Sequence, residues 1–210
     1  MSNDWQTTLR NAEDALSRVD PVIASLITIH GPCQLSPHTD YYQQLVRSII
    51  GQQLSVKAAA TIYNRFLDLF DGSMPTPEQI ITTSAEEFRA IGCSYSKASY
   101  IHDLALHILD GRLDLAHIAT LQNEEIIRQL VAVKGIGEWS AHMFMMFSLG
   151  RLDILPTGDL GIRKAMMIQY ELAELPKPAE MLGLALEHGW SPYQSVASWY
   201  LWRSLDNEPA

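Results

Sequence analysis

The chain has 210 residues, 47% hydrophobic and 19% charged, the balance of a globular protein long enough to bury a sizeable core and unlike that of a disordered segment. No apolar run approaches the roughly 18 residues that would cross a bilayer, and MSNDWQTTLRNAEDAL lacks the basic-then-apolar order of a secretory signal, so an intracellular, cytoplasmic protein is expected. Two distant cysteines, Cys33 and Cys93, exclude a four-cysteine zinc site or iron–sulfur cluster, and the net charge of −9, from 15 Lys and Arg against 24 Asp and Glu, argues against tight non-specific attachment to a polyanion.

Asp20-Pro21 reads as an N-cap followed by proline at the first helical position, with Gly31 as the stop of that helix. Between Ser55 and Gly72 the residues Val56, Ala59, Ala60, Tyr63, Phe66, Leu67 and Phe70 recur at helical spacing. Thr76-Pro77 repeats the start signal, and Ser84 with Glu87 fits a capping box whose short helix Gly92 closes. Similar periodicity predicts helices over Ser96–Gly111, Asn123–Val133 and Leu160–Tyr170, and Ser191-Pro192 predicts one more helix start. No alternating strand pattern occurs, so the expectation is an all-α fold of about ten helices joined by short loops. The best seams are the loop Gly31–Thr39 and the turn-rich Gly150–Gly158. They predict a terminal helical lobe, 1–39 plus 150–210, and a central helical lobe, 40–149, with a cleft between the two.

The stretch from Leu130 to Ala141 is the most informative. One helix ends, a four-residue turn follows (Lys134-Gly135-Ile136-Gly137), and another helix begins at once. Gly135 and Gly137 let the backbone come close to a ligand, and the unpaired amides of a new helix N-terminus suit a phosphate oxygen. Ile136, between the glycines, would plug into the helix pair and fix the turn. On spacing alone, an ordinary glycine-containing helix–helix turn explains this segment equally well.

Five blocks occur in order: Ile49-Ile50-Gly51-Gln52-Gln53-Leu54-Ser55; Ile91-Gly92 with Ser94 and Lys97; the hairpin; Leu155-Pro156-Thr157-Gly158-Asp159-Leu160-Gly161-Ile162-Arg163; and Trp190-Ser191-Pro192-Tyr193 with Trp199-Tyr200-Leu201-Trp202-Arg203. Together, over residues 40–203, they resemble the helix-hairpin-helix DNA glycosylases, and within that superfamily the alkylpurine (3-methyladenine type II) branch. The resemblance implies a two-lobed all-helical fold whose helix-hairpin-helix lies at about 123–149. It implies a short form, without the N-terminal β-rich domain of longer relatives, acting as a monomer on damaged double-stranded DNA. Gln194 departs from the pattern, since relatives often carry arginine there, and this puts one polar contact of the terminal lobe in doubt.

Such an enzyme turns a nucleotide out of the duplex into a pocket, and positive charge develops on the sugar as the bond to the base breaks. The resemblance makes Asp159 the catalytic carboxylate that stabilises this cation and orients or deprotonates the attacking water. An N-cap role for the helix from Leu160 is the plainer reading and is compatible with the first, because a helix N-terminus suits a negative charge. Where strand-nicking relatives carry a Schiff-base lysine, this chain has Trp139, so the expected product is an abasic site without strand cleavage. Trp139 would instead stack on the electron-poor extruded base, with Tyr95, Trp190 and Tyr193 as further pocket walls; aromatic residues at helical spacing are more often core. Gln53, with Leu54 beside it, aligns with the residue pushed into the gap behind the flipped base. Contacts to the DNA strand fall to Lys134, Gly135, Ile136, Gly137 and Gly158, while Trp199, Trp202 and the Met143–Met146 run are assigned to packing.

The resemblance also implies a structural Na+ or K+ on main-chain oxygens of Val133, Lys134 and Ile136. The 7 histidines show no ligand spacing, and no organic cofactor is expected, because the reaction is a hydrolysis. Three alternatives stay open: the same scaffold acting on uracil, mismatched or oxidised bases; a lesion-binding DNA module without catalysis; and a helical interaction domain with no DNA role.

Overall fold

A computed structural model describes residues 3–205. Among them regular structure is wholly helical: α1 (Asn3–Val19), α2 (Pro21–His30), α3 (Tyr41–Gly51), α4 (Val56–Asp68), α5 (Pro77–Thr82), α6 (Ala85–Ala90), α7 (Tyr95–Leu109), α8 (Asn123–Val131), α9 (Glu138–Phe147), α10 (Leu160–Gln169), α11 (Pro178–Glu187) and α12 (Gln194–Leu205), with a 3-10 turn at Ile118–Thr120. The all-α expectation holds. The chain forms two compact units, one of Met1–Pro37 with Met145–Ala210 and one of His38–Phe144.

In the terminal unit α1 sets Leu9, Ala12 and Leu16 on one buried stripe, three or four residues apart, which is what an amphipathic helix requires. By contrast, α12 has no solvent face: every residue from Ser195 to Leu201 is buried, and the helix runs against α1, α2 and α10. A buried carboxylate ties these elements together. Asp20 caps α2 by accepting the Val22 and Ile23 amides on Oδ1, at 2.8 and 3.2 Å. Its Oδ2 accepts the Tyr170 hydroxyl at 2.6 Å and the Trp190 indole N–H at 2.7 Å. Such a group is tolerable in a core because both oxygens are saturated with donors. Burial, reinforced by the bond to Asp20, pushes the Tyr170 phenol well above its ordinary pKa, so it stays protonated and donates.

The expected helix start at Ser191-Pro192 is not observed. Ser191 spends its hydroxyl on Asp153, at 2.7 Å, instead of capping a helix, and the Tyr193 amide bonds back to the Trp190 carbonyl. The segment is a turn, and α12 begins only at Gln194.

In the central unit α7 lies against α3, α5 and α6, burying Ala98, Ile101, Leu104 and Ala105. Phe66 of α4 and Phe88 of α6 stack with centroids 6.1 Å apart. Helix starts are set by side chains: Ser55, Ser84 and Ser94 each accept the amide three residues on, and Thr76 closes a capping box with Gln79. Each such cap is worth about 1 kcal/mol.

Candidate functional site

The terminal unit carries the candidate carboxylate. Leu155 and Pro156 are buried, and two tight turns follow, the Thr157 amide on the Leu155 carbonyl and the Asp159 amide on the Pro156 carbonyl, each at 2.9 Å. They deliver a half-buried Asp159 to the N-cap of α10, where Oδ1 accepts the Ile162 amide at 2.8 Å. The same oxygen accepts the indole N–H of Trp202 at 2.9 Å. That indole is itself stacked on Phe147, with centroids 5.8 Å apart and planes inclined by 27°. Gly161 leaves room for the arrangement, since a Cβ there would lie 2.9 Å from Asp159 Oδ1 and 3.2 Å from the indole. Gly158 is exposed, with open space where a Cβ would stand.

Two expectations change in this unit. Trp202, assigned to packing, packs and also donates to the carboxylate. Trp190, expected as a pocket wall, is 0% exposed and fixed on Asp20, so it has no open face to offer a base. Tyr193 is half-buried and packs on the unit's core.

The central unit carries the hairpin and the loop after α3. Gly51–Leu54 is a type II turn: Gln52 has φ −51° and ψ 129°, Gln53 has φ +58°, and the Leu54 amide reaches the Gly51 carbonyl at 3.1 Å. Gln53 and Leu54 are exposed at its tip. The Gln52 side chain donates through Nε2 to the Gly135 carbonyl at 2.7 Å, tying this turn to the hairpin. Lys97 holds the end of α3 by donating to the Ile50 carbonyl at 2.7 Å, and burial lowers its ammonium's pKa.

The hairpin turn runs from Ala132 to Gly137 between α8 and α9. Ile136 is 5% exposed and plugs the turn into the unit's core, so only its backbone is available to a ligand. Lys134 donates its amide to Asp103 Oδ2 at 2.8 Å, while its exposed ammonium lies 3.7 Å from Asp103 Oδ1. Gly135 has φ +81°, and a Cβ there would lie 2.2–2.6 Å from ring atoms of Tyr100. Gly137 faces open space. Gln52, Gln53, Tyr100, Gly135 and Trp139 line a surface recess of about 470 Å³, with Trp139 48% exposed. The structure thus brings together Gln53, Gly135 and Trp139 of the expected residues.

Tyr95 is not among the recess residues. Its hydroxyl donates to Glu86 at 3.0 Å, and the Arg89 guanidinium sits 4.9 Å from its ring centre. Gln52, Tyr100 and Asp103, which brace the hairpin, carried no sequence signal beyond the block that contains Gln52.

The carbonyls of Val133, Lys134 and Ile136 are neutral, hard oxygen donors of the kind that suit an alkali cation. Val133 already accepts the Ile136 amide at 3.1 Å, which leaves its second lone pair. Among the described residues no cluster of His, Cys, Asp or Glu could hold a metal ion.

Residues 46–192 match the family described as HhH-GPD superfamily base excision DNA repair protein. A putative DNA-3-methyladenine glycosylase of Bacillus subtilis, YfjP, is 32% identical over 208 residues, covering 96% of this chain and 71% of that protein. A solved DNA-3-methyladenine glycosidase from Bacillus halodurans superposes with a TM-score of 0.81 at 39% identity, covering 91% of this chain and 88% of that one. The Schizosaccharomyces pombe 3-methyladenine DNA glycosylase Mag1, solved in complex with abasic DNA, gives 0.80 at 33% identity, covering 92% and 96%. With the family's match spanning well over half of its length, this chain belongs to the HhH-GPD superfamily of base excision DNA repair proteins.

Proposed function

We propose that the protein is a monofunctional DNA glycosylase that hydrolyses the N-glycosidic bond of alkylated purines, chiefly 3-methyladenine. The observation that carries this reading is the Asp159 carboxylate, half-buried at the N-terminus of α10 with one oxygen fixed by two N–H donors. An alkylated purine is cationic, so when the bond from C1′ to nitrogen breaks, the electron pair leaves with the base and the base departs neutral. The positive charge moves to the sugar, and a fixed carboxylate is an efficient stabiliser of it because no solvent need reorganise. Water then adds at C1′ and gives up a proton, for which Asp159 is the acceptor.

The other parts follow the same reading. Trp139, a residue 48% exposed, stacks on the extruded base, and Gln53 at the loop tip fills the gap it leaves. The Lys134 and Ile136 amides are spent on Asp103 and the Val133 carbonyl, so the grip on the strand's phosphates falls to the amides of Gly135 and Gly137. An alkali ion on the carbonyls of Val133, Lys134 and Ile136 would add positive charge there. The names of the relatives and the abasic DNA bound by Mag1, which is what base removal leaves behind, support the assignment.

Incubation with duplexes carrying single lesions, followed by alkali, tests it. The expected result is release of 3-methyladenine, with abasic sites that become breaks only after alkali. Release of uracil or 8-oxoguanine but no alkylated purine would overturn the substrate. The indole at 139 has no amine for a Schiff base, so borohydride should trap no enzyme–DNA adduct; a trapped adduct would show a lyase.

A further inference from the structure

We propose that Trp202 is a positioning residue that holds the Asp159 carboxylate through its indole N–H, with Gly161 kept bare to admit the contact. The inference rests on the reading of Asp159 as the reacting carboxylate. An N-cap aspartate needs only the amide of its own first turn, and the Ile162 N–H at 2.8 Å supplies that. The second donor, at 2.9 Å, comes from the far end of a different helix, 43 residues along the chain. Two donors converging on one oxygen from two directions fix that oxygen in space and remove the carboxylate's freedom to rotate. The other oxygen is then directed as well.

The donor is itself immobilised. Trp202 lies against the core of its unit and stacks on Phe147, with centroids 5.8 Å apart. The third element is Gly161, whose absent side chain is the condition for the contact. A methyl group there would stand 2.9 Å from Oδ1 and 3.2 Å from both Cδ1 and Nε1 of the indole, so the carboxylate and the ring would be forced apart. A buried indole N–H ordinarily finds some acceptor, and a purely structural role would be met by any carbonyl. Here the acceptor is the one carboxylate that the chemistry needs held still, at a place where a displacement of about 1 Å can cost 100-fold in rate.

The test compares wild type, Trp202→Phe and Gly161→Ala. Single-turnover release of 3-methyladenine gives the rate, the concentration dependence of that release gives KM, and titration with duplex containing a tetrahydrofuran abasic mimic gives Kd. Trp202→Phe keeps an aromatic ring against Phe147 and removes the donor. The expected result is a 10- to 100-fold lower rate at saturation, with KM and abasic-mimic Kd within about twofold of wild type, at a temperature where the variant is fully folded by circular dichroism. Gly161→Ala should show the same split by displacing the carboxylate from the other side, and it carries the test if Trp202→Phe fails to fold. Wild-type rate in the folded variants overturns the proposal, and so does a parallel loss of rate and of abasic-mimic affinity, which would mark a structural role. A wild type that releases no base from any of the single-lesion duplexes removes the reading of Asp159 and this proposal with it; an active wild type with a fully active Trp202→Phe removes this one alone.

Discussion

Asp159→Asn should abolish release of 3-methyladenine while leaving the protein folded and able to bind an abasic-mimic duplex. Asparagine is as good an N-cap as aspartate, and its carbonyl oxygen can accept the amide of Ile162 and the indole of Trp202 as Oδ1 does now. The unfolding free energy should therefore change by no more than about 0.5 kcal/mol. What is lost is the negative charge that the proposed mechanism sets against the developing sugar cation. Preorganised electrostatic stabilisers of this kind contribute the largest share of many rate enhancements, so a fall of at least about 1,000-fold, or ~4 kcal/mol of barrier, is expected. Because the abasic mimic is uncharged at the sugar, its affinity should hardly change. Release at close to the wild-type rate from the folded variant would remove Asp159 from the mechanism.

Gly135→Ala should have the next largest effect, on binding rather than on the chemical step. The residue is held at φ +81°, and a methyl group would fall within 2.6 Å of Tyr100 ring atoms. The backbone strain and the forced movement of the ring together should cost about 2 to 4 kcal/mol of stability in urea unfolding. Any shift of residue 135 also breaks the 2.7 Å bond from Gln52 to its carbonyl and moves the amides on either side. Affinity for the abasic-mimic duplex should fall at least tenfold in protein that remains folded. Gly137→Ala is the control: nothing lies within 4 Å of its Cβ position, so stability should stay within about 0.5 kcal/mol of wild type. Equal damage from both substitutions would show that the turn's flexibility matters more than the Tyr100 contact.

Much of the fold could be read from local chemistry. Asp20-Pro21, Thr76-Pro77 and Ser84 with Glu87 mark helix starts because the partner of each capping oxygen lies two or three residues away. Ser191-Pro192 carries the same signature and misleads, because its hydroxyl finds Asp153, 38 residues distant. The candidate site shows the same division. Asp159 and the glycines of the hairpin stand in order along the chain and were visible in a motif. The indole of Trp202, the ring of Tyr100 and the carboxylate of Asp103 act at contacts made only by folding, and periodicity files them as core or surface. Trp190 erred the other way: its motif position pointed to a pocket, and a buried aspartate had already claimed its only polar atom.

The turn at Gly51–Leu54 places a glutamine at φ +58°, in the corner that its hydrogen-bond pattern reserves for glycine or asparagine. The molecule therefore carries, at an exposed tip, a local penalty of about 1 kcal/mol that a one-residue change would erase. Breeding the protein for heat tolerance alone would drift toward glycine or asparagine at position 53, and would shorten the side chain that we propose enters the hollow of an opened helix.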